Sequence, residues 1–155
     1  MKALLVLFAL ISFLFGDDES AKVVFDLTTA KVETFEKHIL KGVAVNKANF
    51  ESQFKDFEVA VVIHGGSYRF FVNDLQSTKY KDDTELVKVH SELKKRIASM
   101  ADTYGVKFYM CGVGVKKHKL DPKNIMSFVK IVPNSTMALI ERQNEGFAYL
   151  PVRDY

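Results

Sequence analysis

The chain has 155 residues, 22 of them Lys or Arg against 19 Asp or Glu, and 48% of them hydrophobic. That is the make-up of a single globular domain with its own core, which excludes disordered, collagen-like and coiled-coil architectures. A net charge of +3 without a clustered basic stripe argues against a nucleic-acid partner. The single cysteine, Cys111, excludes an internal disulfide framework and any multi-cysteine zinc or iron–sulfur site drawn from one chain.

Lys2 precedes an apolar run from Ala3 to Leu10 that continues through Phe15, then Gly16 and the acidic Asp17, Asp18 and Glu19. A basic start, an apolar core too short for a comfortable span and a small residue before a polar segment describe a Sec-type signal peptide. Residues 1–16 are therefore expected to be a leader cleaved after Gly16, with an uncleaved anchor as the alternative. Residues 17–155 form the domain, exported to the periplasm or an equivalent compartment, with no membrane contact beyond the leader.

Lys22–Leu27 is a β-branched and aromatic run that predicts the first strand. Val32, Phe35, Ile39 and Val43 recur at spacings of three and four and predict a helix over about 30–50. Val59–Ile63 is a continuous apolar run closed by His64-Gly65-Gly66, as in an inner strand of a parallel sheet. Asp82 stands three residues before Glu85 in a capping-box arrangement. Leu86, Val89, Leu93, Ile97, Met100 and Tyr104 then share a helical face that Gly105 ends. The polar stretch from Gln76 to Asp83 reads as a loop with no obvious chemistry.

Val106–Met110 predicts a third strand delivering Cys111, followed by a flexible Gly112-Val113-Gly114 and a basic loop from Lys116 to Lys119. Phe128–Val132 predicts a fourth strand. Asn134 or Ser135 caps a helix carrying Met137, Ile140 and Gln143, and Gly146 ends it. Phe147–Pro151 suits an edge strand, where proline is tolerated. Strands alternating with helices give an α/β sandwich.

In open parallel sheets, ligands gather beyond the carboxyl ends of the strands. Three pieces fall there: His64-Gly65-Gly66, Cys111 with Gly112 and Gly114, and Pro133-Asn134-Ser135. Glycine amides near a helix start favour an anion or a thiolate, and Lys116, Lys117 and His118 add positive charge nearby in sequence. Cys111 is thus either a reactive thiol or a buried core cysteine. His64 reads as a structural histidine or a proton-handling one. His38 and His90 look like surface or boundary residues of their helices.

A copper or zinc site from His64, Cys111 and His118 has no short ligand spacing to support it, so no metal is expected. The glycines match neither a dinucleotide fingerprint nor a phosphate-binding loop, and there is no Gly-x-Ser-x-Gly elbow, so no cofactor is implied. Tyr68-Arg69-Phe70-Phe71-Val72 reads as an amphipathic turn burying its apolar side, or as cover for a site or a subunit contact.

The run Phe108-Tyr109-Met110-Cys111-Gly112-Val113-Gly114-Val115-Lys116-Lys117 resembles the DsrE/DsrF-like family. So do Val-Val-Ile-His-Gly-Gly at 61–66, the long helix ending in Gly105, Val-Pro-Asn at 132–134 and the segment Gln143–Tyr149. The order of these pieces looks most like the family's exported branch. The resemblance implies a three-layer α/β/α sandwich with a mainly parallel five-stranded sheet, and a homotrimer or homohexamer. It also implies a sulfur-carrier or sulfurtransferase-like role in which Cys111 accepts sulfur as a persulfide.

The basic pair Lys116-Lys117 stands where cytosolic relay members tend to have arginines. The partners of that cytosolic relay would be absent after export. On this reading Cys111 reacts, while His64, Gly65, Gly66, Gly112, Gly114, Lys116, Lys117 and Asn134 line the site. The partners are thiol-bearing sulfur donors or acceptors. The rival expectation is a non-catalytic binding or assembly module with an inert, buried Cys111, and a thiol redox sensor is a third.

Overall fold

The computed structural model describes residues 20–154. The expected leader at 1–16 lies outside the described residues. Among the described residues no helix is long and apolar enough to cross a membrane.

Five strands make one sheet: β1 (Ala21–Leu27), β2 (Phe57–Ile63), β3 (Lys107–Cys111), β4 (Val129–Val132) and β5 (Ala148–Val152). The spatial order is β4-β3-β2-β1-β5 and every pairing is parallel. Leu27 pairs with Ile63, Ile63 with Met110 and Cys111 with Val132, so the carboxyl ends of four strands finish nearly level. The whole of Val59–Ile63 is buried, as two-sided coverage of an inner parallel strand requires. Pro151 sits on the edge strand β5, which lacks one ladder partner.

One face of the sheet packs on a long helix over 32–51, α1, and on α2 (Thr84–Asp102). Phe35, Ile39 and Val43 are buried as their spacing predicts. In α1 the segment Glu36–Lys41 is π-helical between α-helical Val32–Phe35 and Gly42–Glu51. That wider local winding brings Leu40 into the core beside Ile39.

The start of α2 departs from the expected capping box. Asp83, not Asp82, is the cap, and its carboxylate accepts from the Leu86 amide at 3.1 Å. The α2 face is also rotated slightly from the sequence reading. His90 is buried and donates from Nε2 to the Val72 carbonyl at 3.0 Å, while Val89 faces outward. The segment Ser67–Phe71 is a short 3₁₀ turn whose Tyr68, Phe70 and Phe71 fill the core under α1, with Phe35 stacked on Phe70 at 4.7 Å. The segment thus buries its apolar side as an amphipathic turn does.

The other face carries α4 (Ser135–Asn144), whose Ala138 packs with Val24, Ala60, Val62 and Phe147. Met137 and Ile140, the apolar residues that suggested the helix, are exposed. Between β3 and β4 lies α3 (Gly112–Lys117), where the sequence suggested a flexible glycine stretch followed by a basic loop. Val115 anchors this helix in the core, which is why two glycines in six residues do not prevent it.

Candidate functional site

The helices before and after β4 leave on opposite faces of the sheet. The crevice between the carboxyl ends of β3 and β4 is therefore a topological switch point, where helix starts converge. Cys111 is the last residue of β3 and the residue that starts α3. It is 7% exposed.

Burial alone pushes the thiol up, but the groups around it reverse the sign. The Gly114 amide in the first turn of α3, the Ser135 amide at the start of α4, the Tyr68 hydroxyl and the Ser135 hydroxyl all favour the anion, and the Cys111 thiol is held below its ordinary range. Donors from three different segments thus converge on one sulfur.

Tyr68 reaches the site from the turn after β2. Its hydroxyl donates to the Cys111 carbonyl at 2.9 Å and lies beside the sulfur. Burial, and then the neighbouring thiolate, push the Tyr68 phenol up, so it stays protonated while the thiol ionises. A Cβ on Gly114 would stand 1.8 Å from the Tyr68 hydroxyl oxygen, and one on Gly112 would stand 2.8 Å from the Val132 carbonyl. Both glycines are small so that other groups can close around the thiol.

The second flagged piece folds as a tight turn. Gly65 has φ +63°, and the Gly66 amide donates to the Thr28 carbonyl at 2.9 Å. A Cβ on Gly66 would stand 2.7 Å from that of Ala30. Both glycines therefore have a packing explanation.

His64 Nε2 is paired with Asp26 Oδ1, and the Tyr149 hydroxyl donates to Asp26 Oδ2 at 2.6 Å. Burial alone pushes the Asp26 carboxyl up, but the bonds from His64 and Tyr149, with the charges of His64 and Arg153, hold it below its usual value. Asp26, Tyr68 and Ser135 belong to this end of the sheet, although the sequence marked none of them individually as a site residue. Ser135 lay within the flagged Pro133-Asn134-Ser135 segment. Asp26 carried a visible signal, an acidic residue within the apolar run Val23–Leu27.

The third piece does double duty. The Asn134 side chain caps α4 by accepting from the Met137 amide at 2.8 Å, which leaves Ser135 to face the sulfur. Lys116 and Lys117 are exposed in the last turn of α3, the end away from Cys111, where positive charge suits the helix dipole.

His118 follows them and packs edge-on against the Tyr68 ring at 4.9 Å. Lys79 Nζ donates to His118 Nδ1 at 2.6 Å, and burial followed by the Lys79 charge holds the imidazole below its ordinary value. The loop expected to lack chemistry thus supplies Lys79 and also Tyr80, over which the Arg69 guanidinium lies at 5.2 Å while pairing with Asp83.

No group of three or more His, Cys, Asp or Glu among the described residues could hold a metal ion. A cleft of about 330 Å³, lined by Lys47, Asp56, Glu58, Tyr104, Lys107 and Phe147, lies at the amino ends of the central strands, opposite Cys111.

A family model described as the DsrE/DsrF-like family matches residues 12–152. An uncharacterized protein of Aquifex aeolicus (strain VF5) is 26% identical over 151 residues, covering 97% of this chain. This chain spans 64% of that relative's length. The solved structure of a protein of unknown function from Methanobacterium thermoautotrophicum has a TM-score of 0.54 at 21% identity, covering 85% of this chain and 99% of that one. The structural likeness is one of fold.

Proposed function

This chain belongs to the DsrE/DsrF-like family, and from that premise we propose that it is a sulfur carrier that holds sulfane sulfur as a persulfide on Cys111. The observation that carries the reading is the position of Cys111 at the junction of β3 and α3, with Tyr68 bonded to its carbonyl, among groups of Gly114, Ser135 and Tyr68 that favour its ionisation. A thiolate is the form that attacks sulfane sulfur, and the same donors suit the anionic persulfide that results. Gly112 and Gly114 leave room for the groups that close around the thiol, and Asn134 fixes the α4 start.

The proposal extends to export by the leader at 1–16 and to a homo-oligomer. Supporting the second are the exposed Met137 and Ile140 on α4 and Tyr149 and Leu150 on β5.

The test is alkylation of Cys111 as a function of pH in the folded protein, followed by mass measurement after exposure to a sulfane sulfur donor. Ionisation below the ordinary thiol range and one added sulfur atom, absent in Cys111→Ser, support the carrier.

The burial of Cys111 favours a second reading, a binding or assembly module with an inert thiol. A thiol that reacts only after unfolding and takes up no sulfur decides for that second reading.

A further inference from the structure

His64 and Asp26 form an acid–base pair that neither the packing nor the thiol cradle requires. The Asp26 side chain is 15% exposed and that of His64 27%, so the pair is sheltered yet open on one side. Asp26 is held as a carboxylate from two directions, by His64 on one oxygen and by Tyr149 on the other. An acceptor fixed in this way decides the imidazole tautomer: Nε2 carries the proton shared with Asp26. That leaves Nδ1, which makes no hydrogen bond among the described residues, to exchange a proton with a ligand. Ile63 pairs with Met110, so His64 and Cys111 are each the next residue on adjacent strands. Neighbouring strands run about 4.8 Å apart. Cys111 and His64 therefore stand at neighbouring strand ends, close enough for one small donor to span both.

We infer that His64, positioned by Asp26 and Tyr149, is the acid that protonates the thiolate leaving from the Cys111 reaction, and the base that deprotonates the next thiol. This rests on the reading of Cys111 as the reacting sulfur, and it defines the donor class as alkyl persulfides, whose departing thiolates are basic. In loading, the Cys111 thiolate attacks the outer sulfur of R–S–SH. A new S–S bond forms at Cys111, the donor's S–S bond breaks with its electron pair going to the inner sulfur, and the imidazolium protonates the departing thiolate. R–SH, a Cys111 persulfide and neutral His64 remain. In discharge, an acceptor thiol gives its proton to His64 and attacks the outer sulfur of the persulfide, restoring the Cys111 thiolate and the imidazolium. No outside oxidant or reductant enters.

Two disulfide probes and one persulfide test this on the full chain and on the His64→Gln and Asp26→Asn variants. Glutathione disulfide releases a basic alkyl thiolate, whereas an aryl disulfide such as 5,5′-dithiobis(2-nitrobenzoate) releases a weakly basic one that needs no proton. Loading from glutathione persulfide is followed by mass. Loss of His64 is expected to slow glutathione disulfide exchange and persulfide loading about a hundredfold, with the aryl disulfide rate unchanged. Asp26→Asn should move in the same direction by less.

Equal slowing with both disulfides, or no slowing with either, overturns the assignment. A wild-type protein that exchanges with disulfides yet gains no sulfur refutes the carrier reading alone, since the disulfide pair still decides the role of His64.

Discussion

Gly114→Ala sets local propensity directly against tertiary packing. In a helix interior alanine is favoured over glycine by up to about 1 kcal/mol, so from α3 alone the substitution should stabilise. The added methyl, however, would lie 1.8 Å from the Tyr68 hydroxyl oxygen, 2.2 Å from its Cζ and 2.8 Å from its Cε2, against an ordinary contact of 3.4 Å or more. Tyr68 must retreat by more than an ångström. It is 1% exposed and has the His118 ring against it, so the movement disturbs the core.

Overpacking of this kind costs about 1–3 kcal/mol. Displacing the hydroxyl from the Cys111 carbonyl costs about 1 kcal/mol more. Against the helical gain, a net loss of about 1–3 kcal/mol is expected. Equilibrium urea unfolding should show a lower midpoint with an unchanged slope. Alkylation of the folded variant at neutral pH should be slower, because Tyr68 no longer favours the thiolate. A variant as stable as the parent, with unaltered alkylation, would refute the account of why residue 114 has no side chain.

Three further outcomes are expected. Tyr68→Phe keeps the ring and removes the hydroxyl, so the protein should fold while Cys111 ionises at higher pH, as read from its alkylation profile. Asp26 has a folded pKa below its unfolded value, so the stability it contributes is complete above the ordinary carboxylate range and is lost as pH falls through the folded value. Acid titration of unfolding should show this loss between those two values, and Asp26→Asn should remove it. Asp83→Ala deletes both the α2 cap and the partner of Arg69. It should lower stability by about 1–2 kcal/mol in thermal or urea melts, with Cys111 alkylation in the folded state unchanged.

The five strands, the long helices and the edge position of β5 were legible in the sequence because each depends on local periodicity and on residues suited to one environment. The apolar run Val59–Ile63 suits an inner parallel strand. Phe35, Ile39 and Val43 suit a buried helix face, and Gly105 and Gly146 suit helix ends, where both adopt positive φ. Cys111 at a strand end was legible for the same reason. Tertiary structure decided the partners. Tyr68 lies 43 residues from Cys111 along the chain and Tyr149 lies 123 from Asp26, and nothing local encodes such pairings. The short helix α3 exists although glycine disfavours it, because Val115 is buried and Tyr68 needs the space that Gly114 leaves. Proximity in sequence misled for Lys116 and Lys117: a helix of one and a half turns carries them to the end away from the thiol, while amides and hydroxyls from elsewhere supply its stabilisation. Hydrophobic pattern is a property of neighbours along the chain and determines elements. The ionisation of a buried sulfur depends on what those elements bring within hydrogen-bond reach, and only the folded sheet, with helix starts meeting at its switch point, determines that.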